Sequence, residues 1–491
     1  MYSKATGTEP VRRLEKQSAT SDQSGFLSTT WLLWILGTLV TSVTFGLMFG
    51  GVIDQSHFMP GPLSPGHHQL QDACGTCHTS EFGGDEMLQN ACSQCHADER
   101  DDDIDSHPIS KFEDPRNAAR LEKIDATFCV TCHVEHQPAI TLKDGLTQPK
   151  DICVHCHTDI DEERPSHADM GFETCASSGC HNYHDNRALY TDFLIRHREA
   201  EDHLGNPFVT GRDFAELVHE IMEYPHEQYP VEALDITSMD SPETVEASAE
   251  IHAQWQDTAH AAAGVNCSSC HQPLNEAGES TAWVDKPGID GCQSCHGIEV
   301  RHFTEGKHGM RLAQNLQPMT PAMARLPMQA DAAHEELTCN TCHGAHDFNV
   351  VTAAVEACES CHADEHTVAY RESQHYALWL AETQGDAPSG SGVSCATCHM
   401  PRESKDINDW MERVVVNHNQ NDTLSPNSKM IRPVCLSCHG LEFSINALAD
   451  ESLIDNNFNA YPSVHVDSVD LARAQHEEHE RKRAQRKAQS D

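Results

Sequence analysis

The sequence predicts a mainly α-helical protein with long loops, preceded by one transmembrane helix. Three observations lead there. A short cysteine–histidine motif recurs along most of the chain, at no fixed period. An uncharged apolar run lies near the N-terminus. No alternating strand pattern stands out, and the clearest, RVVVNH at 413–418, is short.

The motif is C-x-x-C-H. It occurs ten times, at Cys74-Cys77-His78, Cys92-Cys95-His96, Cys129-Cys132-His133, Cys153-Cys156-His157, Cys267-Cys270-His271, Cys292-Cys295-His296, Cys339-Cys342-His343, Cys358-Cys361-His362, Cys395-Cys398-His399 and Cys435-Cys438-His439. A longer form, C-x4-C-H, stands at Cys175-Cys180-His181. Numbered in chain order, this longer form is motif 5 of eleven. Together they use all 22 cysteines and leave none for a disulfide. The spacing is that of covalent c-type haem attachment: two thiols add to the two vinyl groups of one porphyrin, and the next residue offers an imidazole to the iron. A zinc site also uses paired cysteines and histidines. It would not explain a histidine directly after the second cysteine in all eleven motifs. The expected cofactor is therefore eleven covalently bound haem c groups, and the fold class becomes a haem-packed multihaem cytochrome c. Aromatic residues make up only 6% of the chain, so the porphyrins are expected to supply much of the apolar core.

Gly25 to Ile53 carries no charge, and as a helix it is roughly 40 Å long, enough to cross a bilayer with some tilt. Lys4, Arg12, Arg13 and Lys16 precede it and Asp54 follows. The positive-inside rule then puts the N-terminus in the cytoplasm. The expected location is the bacterial inner membrane, crossed once, with the haem domains in the periplasm. A cleaved signal peptide is the alternative. The formal net charge is −43. Such an acidic chain repels phosphate, which excludes nucleic acid as a partner, and could steer a basic redox partner.

The expected organisation is a cytoplasmic tail (1–24), an anchor (25–53), a Pro/Gly-rich linker (54–66), a pentahaem domain (67–190), a helical connector (191–250), a hexahaem domain (251–465) and a charged tail (466–491). The connector contains RDFAELVHEIMEY, with apolar residues at helical spacing.

Eleven of the 35 histidines are proximal by motif, leaving 24, enough to give every iron a second imidazole. His136, His184, His346 and His366 follow a motif by three or four residues. That spacing puts them on the same helix face as the proximal histidine, so they cannot reach the far side of their own haem but can reach a neighbour's. They are distal candidates, with His375 and His418. His67 or His68, His107, His167, His252, His260, His302, His308 and His334 form a second tier.

The segment 339–439 carries CNTCHGAH, CESCHADEHTVAYRESQH, CATCHMPR, then VNH with His418, then CLSCH. In that order and spacing it resembles the C-terminal haem core of octahaem hydroxylamine oxidoreductase-like cytochromes and pentahaem ammonia-forming nitrite reductases, a resemblance that covers roughly 265–440. The first five motifs look like small multihaem cytochromes of the c3/c7 type. The resemblance implies that motif 7 holds a catalytic haem, with Asp364 and His366 as its distal acid–base pair. The chain departs from those families in having His296 where the nitrite reductases use lysine, and Tyr461 as the lone tyrosine after His439. His302 or His308 could instead close that haem.

Two functions are carried forward. One is a membrane-anchored electron carrier between the quinol pool, or a membrane oxidoreductase, and a periplasmic or extracellular acceptor. The other is a reductase or oxidase of a small nitrogen or sulfur compound at an open haem on motif 7.

Overall fold

The computed structural model describes residues 29–49 and 59–490, except 81–82, 98, 100–106, 143–144, 165–166, 169, 171–182, 185–190, 207–208, 212–231, 246–247, 273–277, 409–410 and 425. The cytoplasmic tail, most of the linker, the RDFAELVHEIMEY stretch and motif 5 (Cys175, Cys180, His181) lie outside the described residues. Two compact units are present, Met1–Met59 and Pro60–Asp491.

In the first unit the apolar run forms α1 (Thr29–Phe49), long and apolar enough to cross a membrane. Its hydroxyls are satisfied locally. Thr38, Thr41 and Thr44 donate to the carbonyls of Trp34, Gly37 and Val40, four residues back, at 2.8–2.9 Å. In hydrocarbon a bare hydroxyl would be costly, and this bond removes the cost within the helix itself.

The second unit is built of short helices and long loops. The motifs themselves nucleate many of the helices, including Cys129–Cys132, Cys267–His271, Cys339–His343 and Cys395–His399. Two of these start on a reciprocal cap. Ser394 and Thr397 exchange side-chain and backbone hydrogen bonds, as do Thr338 and Thr341, so the residue before the first cysteine and the residue before the second fix the turn between them. In seven further motifs the histidine N–H donates to the first cysteine's carbonyl at 2.8–3.0 Å (His78, His96, His133, His157, His296, His362 and His439). One helical turn therefore sets both thiols and the imidazole of each described motif on a common face.

Three longer elements frame the C-terminal part. They are α2 (Thr191–His197), α3 (Gly297–Glu305) and an antiparallel hairpin of β1 (Arg402–Asn408) and β2 (Met411–Val416), paired Arg402 with Val416 and Ser404 with Val414. β2 is the one segment whose sequence read as strand. After motif 11 come α4 (Leu441–Ala449) and α5 (Ser468–Ser490). A core joins Phe193 and Leu194 of α2, Met430 and Ile431, Leu441, Ile445 and Leu448 of α4, and Val469 and Ala472 of α5. The first turn of the expected charged tail is thus built into the core. The rest of α5 is exposed and polar, with Glu478 and Lys482 paired at 2.6 Å one turn apart. The segment after α2 also packs here: the N–H of Leu204 donates to the Cys438 carbonyl and that of Gly440 to Asp202.

Ile431 is fully buried in this core. Ile431→Ala is expected to destabilise it by about 2–5 kcal/mol, through lost transfer energy and the cavity left behind. The readout is the denaturant midpoint of the haem-loaded protein, which an exposed control such as Val464→Ala leaves unchanged.

Candidate haem-ligating site

Two imidazoles that hold one metal from opposite sides, at about 2 Å per bond, have ring centres about 6 Å apart. Nine motif histidines face a second histidine at this span. His96 faces His67 (5.9 Å), His133 faces His184 (6.1 Å) and His157 faces His107 (6.2 Å). In the second half His271 faces His346 (6.2 Å), His296 faces His260 (6.1 Å), His343 faces His418 (6.3 Å), His362 faces His308 (6.2 Å), His399 faces His366 (6.0 Å) and His439 faces His375 (6.2 Å). The span fits one iron between each pair.

The ring hydrogen bonds fit the same chemistry. His107, His366 and His418 direct Nδ1 to the carbonyls of Tyr183, Ile454 and Val416, and the proximal rings of His133, His271 and His439 direct theirs to Gly145, Val284 and Asp202. A carbonyl only accepts, so Nδ1 carries the proton and Nε2 keeps the lone pair that a metal needs. Burial pushes His107, His308, His375 and His399 down to about 4, so these rings are neutral at physiological pH, the form that ligates.

Neighbouring motifs also touch. The thiols of Cys92 and Cys129, Cys292 and Cys339, and Cys358 and Cys395 lie close enough to raise the pKa of the first of each pair, and these atoms stand in for the thioether sulfurs of loaded motifs. The chain therefore sets attachment points of motifs 2 and 3, 7 and 8, and 9 and 10 side by side.

Of the distal candidates, His184, His346, His366, His375 and His418 each face the proximal histidine of another motif, as the helix-face argument requires for the first three. Among the described residues His136 faces no motif histidine at this span. Its Nδ1 donates to Gly61 at 2.7 Å, and its backbone is left-handed, with φ of 63°. Among the described residues no imidazole opposes His78 at this distance.

The expected pocket over motif 7 is not assembled. His296 is opposed by His260, and His366 lies against His399. Asn457 also approaches His366 Nε2 at 3.2 Å while donating to the His366 carbonyl at 3.1 Å, so metal ligation there requires it to keep the second bond alone. Asp364 caps the helix Glu365–Ala369. It accepts the Thr367 N–H at 3.1 Å and its hydroxyl at 2.9 Å, and lies 3.8 Å from His362 Nδ1, the proximal ring of motif 9. Burial opposes ionisation of this carboxyl, but Thr367 holds it below the ordinary range. The pair fails to meet at motif 7 because a histidine four residues past its motif is delivered to the adjoining motif 10. His308 closes on His362, and His302 is buried with no motif histidine opposite it among the described residues. Tyr461 lies beside His203 and Phe443, near His439.

His67, His107, His260 and His308 stood only in the second tier. An internal repeat singles them out. His67 lies seven residues before Cys74 and His260 seven before Cys267; His107 and His308 follow His96 and His296 by eleven and twelve. Motifs 2–4 and 7–9 thus draw opposing histidines from matching places, and motifs 3 and 8 share the form C-x-T-C-H-x-x-H.

Repeated C-x-x-C-H motifs, nine of them with opposed imidazoles, on a helical and loop-rich chain define a multihaem c-type cytochrome. The family model for outer membrane cytochrome MtrC/MtrF-like, domains II/IV, matches residues 149–353, from the run-in to motif 4 through motif 8. No curated protein and no solved structure matches the chain, so the resemblance to hydroxylamine oxidoreductases and nitrite reductases gains nothing from these comparisons.

His260→Ala and His366→Ala are each expected to yield one equivalent of high-spin ferric haem by electron paramagnetic resonance, and the double variant two. A pocket role for His366 at motif 7 would leave the spin count unchanged in His366→Ala.

Proposed function

We propose that this cytochrome is an electron carrier with eleven haem c groups, each iron held by two histidines, anchored by α1 in the inner membrane with its haem domains in the periplasm. The observation that carries this reading is the set of nine opposed imidazole pairs. A haem with both axial positions filled by imidazole takes up and releases one electron without binding substrate. The chain's own part is to hold both imidazoles neutral, fix their tautomers through backbone carbonyls, and keep successive attachment turns in contact.

The remaining two motifs are assigned through the repeat. His346, three residues after motif 8, faces motif 6; by correspondence His136, three residues after motif 3, ligates motif 1. Cys77 of motif 1 lies within electrostatic reach of Glu135, next to His136, and the His136 Nδ1 anchor on Gly61 matches that of the other ligands. A Cβ at Gly61 would lie 2.5 Å from the His136 carbonyl oxygen, so the strap needs glycine there. His167, between motifs 4 and 5 as His366 is between motifs 9 and 10, is assigned to motif 5.

The donor is the membrane quinol pool or a membrane oxidoreductase, as the anchor suggests, and the acceptor is periplasmic or extracellular, a reading supported by the match to an outer membrane cytochrome family. The acidic surface suits a basic partner, with association weakening as salt rises. The second reading, turnover of a nitrogen or sulfur compound, needs an iron with one open face. Among the described motif histidines only His78 has no imidazole across from it, and His136 is the group that closes it.

Oxidised wild-type protein is expected to contain eleven haems per chain by pyridine haemochrome assay and no high-spin iron, with no spectral response to nitrite or hydroxylamine. His136→Ala is expected to create one high-spin centre. A high-spin signal in the wild type that nitrite perturbs would overturn the carrier reading.

A further inference from the structure

The repeat places the histidines opposing motifs 2 and 7, His67 and His260, in equivalent positions, yet their second ring nitrogens meet different surroundings. His67 Nδ1 lies 2.6 Å from Glu135 Oε1. The carboxylate is itself fixed, accepting the Ser64 hydroxyl on Oε1 and the Ser64 N–H on Oε2, both at 2.8 Å, from a buried serine. His260 Nδ1 is buried and has no hydrogen-bond partner among the described residues, and its ring stands edge-on to Phe348 at 4.4 Å. The cause is a single residue. Motif 3 continues His133-Val134-Glu135-His136 and motif 8 continues His343-Gly344-Ala345-His346, so Ala345 stands where Glu135 does. The Nδ1 anchors of His107, His136, His366 and His418 are neutral carbonyls.

We infer that Glu135 is a positioning residue that gives the haem between His67 and His96 a lower reduction potential than the haem between His260 and His296. A carboxylate that accepts the Nδ1 proton makes the imidazole a stronger electron donor through Nε2, and its negative charge nearby favours the ferric over the ferrous state. An imidazole with no acceptor at Nδ1, against an aromatic edge, does neither. Two haems built on equivalent scaffolds are in this way driven apart in potential, giving the carrier a strongly reducing site in its first repeat. The inference rests on the proposal that these pairs each hold one iron.

The test is a redox titration of the full haem-loaded chain, followed by electron paramagnetic resonance, for wild type, Glu135→Gln, Glu135→Asp and His67→Ala. Glu135→Gln is expected to move one low-spin haem, from the low end of the set, to higher potential while the other ten stay put. Glu135→Asp should restore part of the shift, and neither should produce high-spin iron. Unchanged midpoints in Glu135→Gln would overturn the inference. High-spin iron in Glu135→Gln would overturn it too, since the glutamate would then be needed merely to keep His67 on the metal. His67→Ala is the control for the ligand assignment: one new high-spin centre is expected, and none would overturn the underlying pairing rather than the role of Glu135 alone.

Discussion

The architecture depends on one geometric constraint. Two imidazoles from distant parts of the chain must stand about 6 Å apart with their ring nitrogens aimed at a common point. His133 meets His184 and His343 meets His418, across 51 and 75 residues. A chain with 6% aromatic residues and helices of mostly four to ten residues has few other ways to bring such segments together. Its one sizeable apolar cluster among the described residues gathers around α2, α4 and α5, beside motif 11. Elsewhere, loops hold imidazoles and imidazoles hold loops.

Local structure around the described motifs was legible in the sequence, and long-range pairing only partly so. The motif turns follow from C-x-x-C-H and from capping residues such as Ser394 and Thr397. α1 follows from an uncharged run and β2 from a single β-branched stretch, whereas its partner β1, the polar RESKDIN, carried no strand signal. The rule that a histidine just past its motif serves a neighbour is legible because helix faces are fixed by spacing. The ring spans of His184, His346 and His366 to histidines of other motifs agree with it. Which neighbour each serves is set by how the turns stack, which spacing does not encode. The acid–base pocket around Asp364 was misplaced for that reason: a resemblance in motif order stood in for three-dimensional adjacency.

The correspondence of motifs 2–4 with 7–9 is hidden in the sequence because the intervals between motifs differ: 18 residues from Cys74 to Cys92, but 25 from Cys267 to Cys292. It turns the chain into an internal comparison, in which equivalent iron positions carry different ring-nitrogen partners. Motif 11 falls outside the correspondence and draws its opposing imidazole, His375, from within the second repeat.

The central claim is that every iron of this chain sits between two imidazoles. Near-infrared magnetic circular dichroism of the oxidised protein reads axial ligands directly, since the energy of the low-spin ferric charge-transfer band depends on ligand type. The account predicts a single bis-imidazole band whose intensity corresponds to eleven haems per chain. A band from methionine, thiolate or hydroxide ligation, or an intensity short of eleven, would contradict it.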